Sequence, residues 1–124
     1  MSSLQTILEE KCAILLKEKE IFFAGLINKS GRLIAGGLKL EMNLEDEFER
    51  EKLFMTYVLM NSMNKDYDYC FGSMRYTAVK REKTTMMSFS IDSFLFLIVI
   101  DAKEDIEKEA SKIEKIIKNF VSYA

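Results

Sequence analysis

Seven consecutive apolar residues constrain the fold of this chain more than any other feature. The run lies between the turn-forming pair Asp92-Ser93 and Asp101, and its β-branched and aromatic side chains are typical of a buried strand. Successive side chains of a strand point to opposite faces. The two sets are Phe94, Phe96, Ile98 and Ile100 on one face and Leu95, Leu97 and Val99 on the other. Both faces are apolar, so we expect helices to cover both sides of the sheet.

Apolar periodicity along the whole chain predicts three helices and five strands. The predicted helices are one from Leu4 to Leu16 with a serine N-cap at Ser2-Ser3, one opened by Glu45-Asp46-Glu47 and running from Phe48 to Met63, and one capped by Asp101 with an apolar seam from Ile106 to Phe120. The predicted strands are Ile21 to Ile27, Arg32 to Ala35, Cys70 to Val79, Thr84 to Ile91 and Phe94 to Ile100. The residues Asn28 to Gly31, Lys80 to Lys83 and Asp92-Ser93 are typical of turns.

The resulting order, α-β-β-α-β-β-β-α, predicts an α+β fold in a single domain of residues 1–124. Consecutive antiparallel strands usually lie side by side, and the two most apolar strands should be central. We therefore expect a five-stranded antiparallel sheet in the order 2-1-5-4-3. The terminal helices would share one face, and the middle helix would lie alone on the other.

The pair Gly36-Gly37 would weaken the interior of a strand. It indicates either a β-bulge or a close approach of two backbones. A phosphate-binding loop is not supported, because no Lys-Ser/Thr pair follows the glycines.

The middle helix is apolar on two opposite sides. At 100° per residue, one stripe consists of Phe48, Met55, Leu59 and Met63, interrupted by Lys52, and the other of Leu53, Tyr57 and Met60. One stripe can pack on the sheet, and the other requires either further core or a partner. The sequence does not decide which stripe faces the sheet. We predict that Tyr57→Glu and Leu59→Glu have different effects. One substitution should unfold the subunit, and the other should separate it from its partner.

Composition argues against several functional classes. The chain has no histidine, two cysteines and a formal net charge of −2. The commonest general base is therefore absent, and no spacing of carboxylates or cysteines indicates a catalytic pair, a metal site or a cofactor site. The acidic balance argues against a nucleic-acid partner, and the longest apolar run is too short to insert into a membrane. Reduced thiols and the lack of a signal-peptide pattern predict a cytoplasmic protein.

A basic cluster surrounds the predicted third strand and the turn that follows it. It consists of Arg75, Lys80, Arg81 and Lys83, with Tyr76 among them. Such a cluster is typical of a solvated hairpin turn, and it also suits contact with an acidic partner surface or a phosphate.

With its elements in this order, the chain resembles the Roadblock/LC7 superfamily, which has a profilin-like fold. The hairpin Gly31-Arg32-Leu33-Ile34-Ala35-Gly36-Gly37 carries that likeness. This hairpin is also similar to that of a small archaeal family of unassigned function, together with the segments Leu53-Phe54-Met55, Met74-Arg75-Tyr76-Thr77, Arg81-Glu82-Lys83-Thr84 and Met87-Ser88-Phe89.

The resemblance implies a non-enzymatic scaffold without a cofactor. It implies a dimer in which the middle helix and third strand meet their counterparts, and partners such as small Ras-like GTPases or signalling complexes. The second subunit would be the same chain or a paralogue. The interface residues implied for this sequence are Phe48, Lys52, Leu53, Met55, Tyr57, Leu59, Met60, Met63, Phe71 and Arg75.

A small-molecule sensor is the alternative function, since related five-stranded folds bind ligands against the sheet. Its pocket is expected between the middle helix and the last three strands, near Met74, Tyr76, Met86 and Phe89.

Overall fold

The computed structural model describes residues 3–38 and 46–121 and has the predicted order of elements with one short helix added. The helices are α1 (Ser3–Leu16), α2 (Glu47–Lys65), α3 (Asp68–Phe71) and α4 (Ile106–Val121). The strands are β1 (Ile21–Ile27), β2 (Leu33–Leu38), β3 (Thr77–Lys80), β4 (Thr84–Ile91) and β5 (Phe94–Asp101). Ser2, Glu45 and the connector from Leu40 to Leu44 lie outside the described residues. No helix in the described part of the chain is both long enough and apolar enough to cross a bilayer.

The sheet has the predicted order, β2-β1-β5-β4-β3, and all its neighbouring strands are antiparallel. The apolar run is the central strand β5, which pairs with β1 through Leu26 opposite Phe96 and with β4 through Phe89 opposite Phe96. The α+β class and the strand order predicted from the sequence are therefore confirmed.

The two faces of β5 support two separate cores. Phe96, Ile98 and Ile100 pack in a cluster that includes Cys12 and Leu15 of α1 and Ala110 and Ile113 of α4. Leu95, Leu97 and Val99 pack in a second cluster that includes Phe54 and Tyr57 of α2. The terminal helices thus share one face and α2 covers the other, as predicted.

The third strand is much shorter than predicted. Residues 68–71 form α3, and only Thr77–Lys80 pair with β4. Asp68 stabilises the helical turn, since its carbonyl accepts the Gly72 N–H at 2.9 Å and its carboxylate accepts the Met74 N–H at 3.1 Å. Gly72 ends the turn at φ 90°. The predicted strand over Cys70 to Val79 is therefore wrong in its first seven residues, where local hydrogen bonds to Asp68 replace pairing with β4.

Of the two aspartates expected at helix starts, Asp101 is predicted as a cap and Asp46 only as part of the acidic opening of the middle helix. Asp46 caps α2 by accepting the Phe48 N–H at 2.9 Å. Asp101 does not cap α4, because it is the last residue of β5 and its carboxylate accepts the Lys103 N–H at 3.0 Å. Asp105, directly before α4, accepts the Lys108 N–H at 3.2 Å instead. Aspartate is a good N-cap residue, and both Asp101 and Asp105 precede α4. Asp105 is the cap because β5 extends through Asp101.

Gly36 lies within β2, where two backbones approach closely. A Cβ atom there would lie 2.1 Å from the carbonyl oxygen of Ala24. Of the two predictions for this pair, the close approach is confirmed and the bulge is not, because the register irregularity lies between Leu26 and Ile27.

The two cysteines are free thiols in different environments. Burial and the negative charge of Glu9 raise the pKa of Cys12 to about 12. Cys70 is exposed on α3. Because the thiolate is the reactive form, we expect native protein at pH 8 to take up one iodoacetamide group, at Cys70. Peptide mass spectrometry would locate it, and protein unfolded in urea should take up two. Equal labelling of both cysteines in native protein would contradict this description.

Candidate protein-interaction surface

The structure shows which stripe of α2 faces the sheet. Phe54 and Tyr57 are buried, with exposures of 6% and 4%. Leu53, Val58 and Met60 are partly buried against the same core. The rings of Phe23 and Phe54 lie 5.8 Å apart, which joins α2 to β1. The stripe that contains Leu53, Tyr57 and Met60 therefore holds α2 on its own sheet.

The opposite stripe of α2 lacks cover within the described subunit. Phe48, Leu59 and Met63 have exposures of 69%, 56% and 68%. Met55 is partly buried because it packs on Gly31. A Cβ atom at Gly31 would lie 2.8 Å from the Met55 sulfur, so the glycine leaves space for that side chain. Lys52 is exposed in the middle of this stripe. Large apolar side chains gathered on one helix face mark a contact surface more often than scattered ones do.

Helix α3, which follows α2 along the chain, carries further exposed aromatic side chains. Tyr67, directly before α3, and Tyr69 and Phe71 within it are exposed by 57%, 89% and 82%. The rings of Tyr67 and Phe71 lie 6.4 Å apart. We call the combined set the α2–α3 surface, which consists of Phe48, Leu59, Met63, Tyr67, Tyr69 and Phe71. Phe71 belongs to the interface predicted from the sequence, whereas Tyr67 and Tyr69 do not, because aromatic residues at alternate positions also fit the start of a strand.

Within residues 3–38 and 46–121, strand β3 forms one edge of the sheet and pairs with β4 alone. The outward backbone groups of an edge strand are open to pairing with another chain. This edge is short, since only four residues belong to β3.

Contacts with other elements of the chain divide the basic cluster into bonded residues and exposed residues. The Arg75 guanidinium donates to both carboxylate oxygens of Glu114 in α4, at 3.1 Å from Nε and 2.8 Å from Nη2. It also lies 5.5 Å from the centre of the Tyr76 ring, and the Tyr76 hydroxyl donates to Glu107. Lys80 Nζ donates to the Ala102 carbonyl. Arg75, Tyr76 and Lys80 thus contact the chain itself, while Arg81 and Lys83 are exposed in the turn.

The ion pair between Arg75 and Glu114 predicts a pH dependence. The hydrogen bond from Arg75 lowers the pKa of Glu114 below its ordinary value of 4.5. A group with a depressed pKa in the folded state stabilises the fold above its unfolded pKa and loses that effect as the pH falls through the folded value. We expect Glu114→Gln to lower the Tm slightly at pH 7, and the difference to shrink as the pH falls below 4.5 towards the lower pKa of Glu114 in the folded protein. Thermal unfolding of both proteins from pH 3 to 8 measures it, and a difference at pH 3 as large as that at pH 7 would contradict it.

The predicted sensor pocket is not formed by the residues expected for it. Met86 packs in the core beneath α2. Phe89 packs on the opposite face of the sheet, with the ring of Tyr76 at 5.7 Å. The prediction is wrong because Met86 and Phe89 are three positions apart on one strand and so point to opposite faces.

Three carboxylates that approach one another closely enough to hold a cation have a lysine beside them. The oxygens of Glu20, Glu104 and Glu109 lie within 4.8 Å of one another. The Lys112 ammonium lies 3.1 Å from Glu109 and 3.8 Å from Glu20. Partial burial acts to lower the pKa of Lys112, but hydrogen bonds to Glu18 and Glu109 outweigh it and raise that pKa. A charged lysine therefore compensates this acidic group.

A five-stranded antiparallel sheet with two helices on one face and one on the other is the fold of Roadblock/LC7 domains. The Roadblock/LC7 domain from Streptomyces avermitilis has a TM-score of 0.73 at 13% identity, covering 94% of this chain and 96% of that one. Myxococcus xanthus MglB gives 0.78 at 14%, covering 96% and 88%. A structure of MglB with a tetrameric arrangement gives 0.77 at 12%, covering 98% and 90%. The predicted Roadblock/LC7 likeness is thus confirmed as a fold.

The chain itself belongs to DUF6659, a family of unknown function, whose model matches residues 4–123. No curated protein sequence matches it.

Proposed function

We propose that this chain is a non-enzymatic cytoplasmic adaptor that forms a dimer through the α2–α3 surface and then binds another protein. The exposure of Phe48, Leu59 and Met63 on the outer side of α2 carries the proposal. Burying such side chains contributes on the order of 1–2 kcal/mol each. The MglB structure with a tetrameric arrangement supports self-association in this fold.

A two-fold dimer would place the same surface of each subunit against the other. In the proposed interface, Phe48, Met55, Leu59 and Met63 supply the apolar centre, and Lys52 and Phe71 lie at its margin. Edge strand β3 extends the contact, with Arg75 beside it. Leu53, Tyr57 and Met60 belong to the subunit core, so they support the interface from behind. A homodimer uses only this chain, whereas a heterodimer would need a paralogue to supply the second α2.

Solution mass tests the proposal with two matched variants. Leu59→Glu adds a negative charge at the centre of the outer stripe, and Ser111→Glu adds the same charge at an exposed position of α4, on the other face of the sheet. Light scattering coupled to size exclusion should give a dimer for the wild type and Ser111→Glu, and a monomer for Leu59→Glu. Circular dichroism should be the same for all three. Equal masses for the two variants would contradict the proposed interface.

The partner that we propose is a small Ras-like GTPase or a signalling complex that contains one. The support is the Roadblock/LC7 fold, so this assignment is by analogy with that fold. Purified Ras-like GTPases from the same genome, loaded with GDP or with a non-hydrolysable GTP analogue, can be titrated onto immobilised protein. Binding to one nucleotide state, weakened in Leu59→Glu and unchanged in Ser111→Glu, is the expected result. Absence of binding in both states would contradict the choice of partner but not the dimer.

A further inference from the structure

A groove of about 460 Å³ separates α2 from the turns that join β1 to β2 and β4 to β5. It lies between the middle helix and the sheet, at a different place from the pocket predicted from the sequence. Its volume falls in the range of roughly 300–1,000 Å³ typical of small-molecule sites. It therefore has room for a ligand.

The inner lining of the groove is apolar. Leu95 of β5 is buried, and Val58 of α2 packs partly against the same core. Met55 and Leu59 line the groove from the helix side. An apolar body of a few carbon atoms could lose contact with water here without leaving buried polar groups unpaired.

The remaining lining is rich in hydrogen-bond donors. Lys29 comes from the β1–β2 turn and Lys65 from the end of α2, and neither forms an ion pair within residues 3–38 and 46–121. Asn28 Oδ1 accepts the Ser30 and Arg32 N–H groups at 2.9 and 3.0 Å. Asn61 Oδ1 accepts the Ser90 hydroxyl at 3.1 Å. Because both amide oxygens are engaged, the asparagines have their Nδ2 donors left for a ligand.

We propose that this groove binds a small organic acid, with its apolar body along Val58 and Leu95 and its carboxylate among Lys29, Lys65 and the asparagine amides. Among the described lining residues, Asp92 is the one carboxylate and faces two lysines, so positive groups outnumber negative ones there. Charge-assisted hydrogen bonds from two lysines favour an anion over an amine of the same shape. The groove shares Met55 and Leu59 with the proposed dimer interface, but the ligand is inferred from the groove itself and would make the subunit responsive to a metabolite.

The test uses two probes of the same shape, 3-phenylpropionate and 3-phenylpropylamine, titrated into ¹⁵N-labelled full chain and followed by NMR. The acid should give saturable shifts at the side-chain amides of Asn28 and Asn61, and the amine should not. Lys65→Gln should weaken the acid roughly tenfold, the loss expected for one charge-assisted hydrogen bond. Lys115→Gln, an exposed substitution on α4, should leave the affinity for the acid unchanged.

Several results would overturn the assignment. These are equal shifts with both probes, the same affinity in Lys65→Gln as in the wild type, or no shifts at millimolar acid. Shifts of the same amides that follow protein concentration without any probe would assign the groove to a second copy of the chain instead.

Discussion

Replacing Tyr57 by glutamate is expected to unfold the subunit. The Tyr57 side chain is 4% exposed and packs in the core that joins α2 to β1, β4 and β5. Burial already raises the pKa of the Tyr57 hydroxyl, although Arg81 acts in the opposite direction. A carboxylate at this position would be buried without its hydration shell, and the contacts of the tyrosine ring would be lost as well. We expect a loss of about 4 kcal/mol or more, comparable with the whole stability of a small domain.

The matched control is Leu59→Glu, two residues along the same helix on its opposite side. Leu59 is 56% exposed, so the new carboxylate remains in water and the monomer should keep its fold. Urea unfolding followed by circular dichroism measures both variants. We expect Tyr57→Glu to be unfolded or nearly so in the absence of urea, and Leu59→Glu to unfold at a midpoint close to that of a wild-type monomer. Equal midpoints for the two variants would show that the orientation of α2 is wrong.

Gly36→Ala is expected to be the most damaging small substitution in the sheet. An added Cβ would lie 2.1 Å from the Ala24 carbonyl oxygen and 2.9 Å from the Gly25 Cα, both backbone atoms of β1. Gly36 also has φ 86°, where an alanine is strained. Its N–H donates to Glu9 of α1, so a shift of β2 would break that contact too. We expect a loss of roughly 3 kcal/mol, or a fall in Tm of about 10 °C.

Gly37→Ala is the control, because it makes the same chemical change one residue along. A Cβ at Gly37 meets nothing within 4 Å, and its φ is not positive. Alanine there should change the Tm by no more than a few degrees, in either direction. Differential scanning calorimetry of both variants measures the difference. If the two alanines lower the Tm equally, then β1 and β2 do not approach each other as described.

The sheet could be predicted from the sequence because its signals are local. The run from Phe94 to Ile100 is apolar on both faces. The turn from Asn28 to Gly31 is stabilised by the Asn28 side chain, whose oxygen accepts the N–H groups of Ser30 and Arg32. The orientation of α2 was not predictable in the same way. Both of its stripes contain large apolar residues, and only the shape of the sheet beneath the helix selects the one with Tyr57.

The surface contacts depend on residues far apart in the chain. The sequence places Arg75 and Tyr76 in a basic cluster. In the structure Arg75 contacts Glu114, 39 residues away, and Tyr76 contacts Glu107, 31 residues away. The predicted start of the third strand is wrong for the opposite reason, since local hydrogen bonds to Asp68 form a helical turn where a strand of mixed apolar and polar residues was expected. Sequence periodicity describes the faces of an element and does not identify the neighbour that each face meets.

Sedimentation velocity of the wild-type chain over a hundredfold range of concentration tests whether two copies of the chain associate. We expect a species of twice the subunit mass of 14.4 kDa, which dissociates only on dilution. A single species of 14.4 kDa at every concentration would show that the outer stripe of α2 does not join two copies of this chain. That result would contradict the homodimeric adaptor.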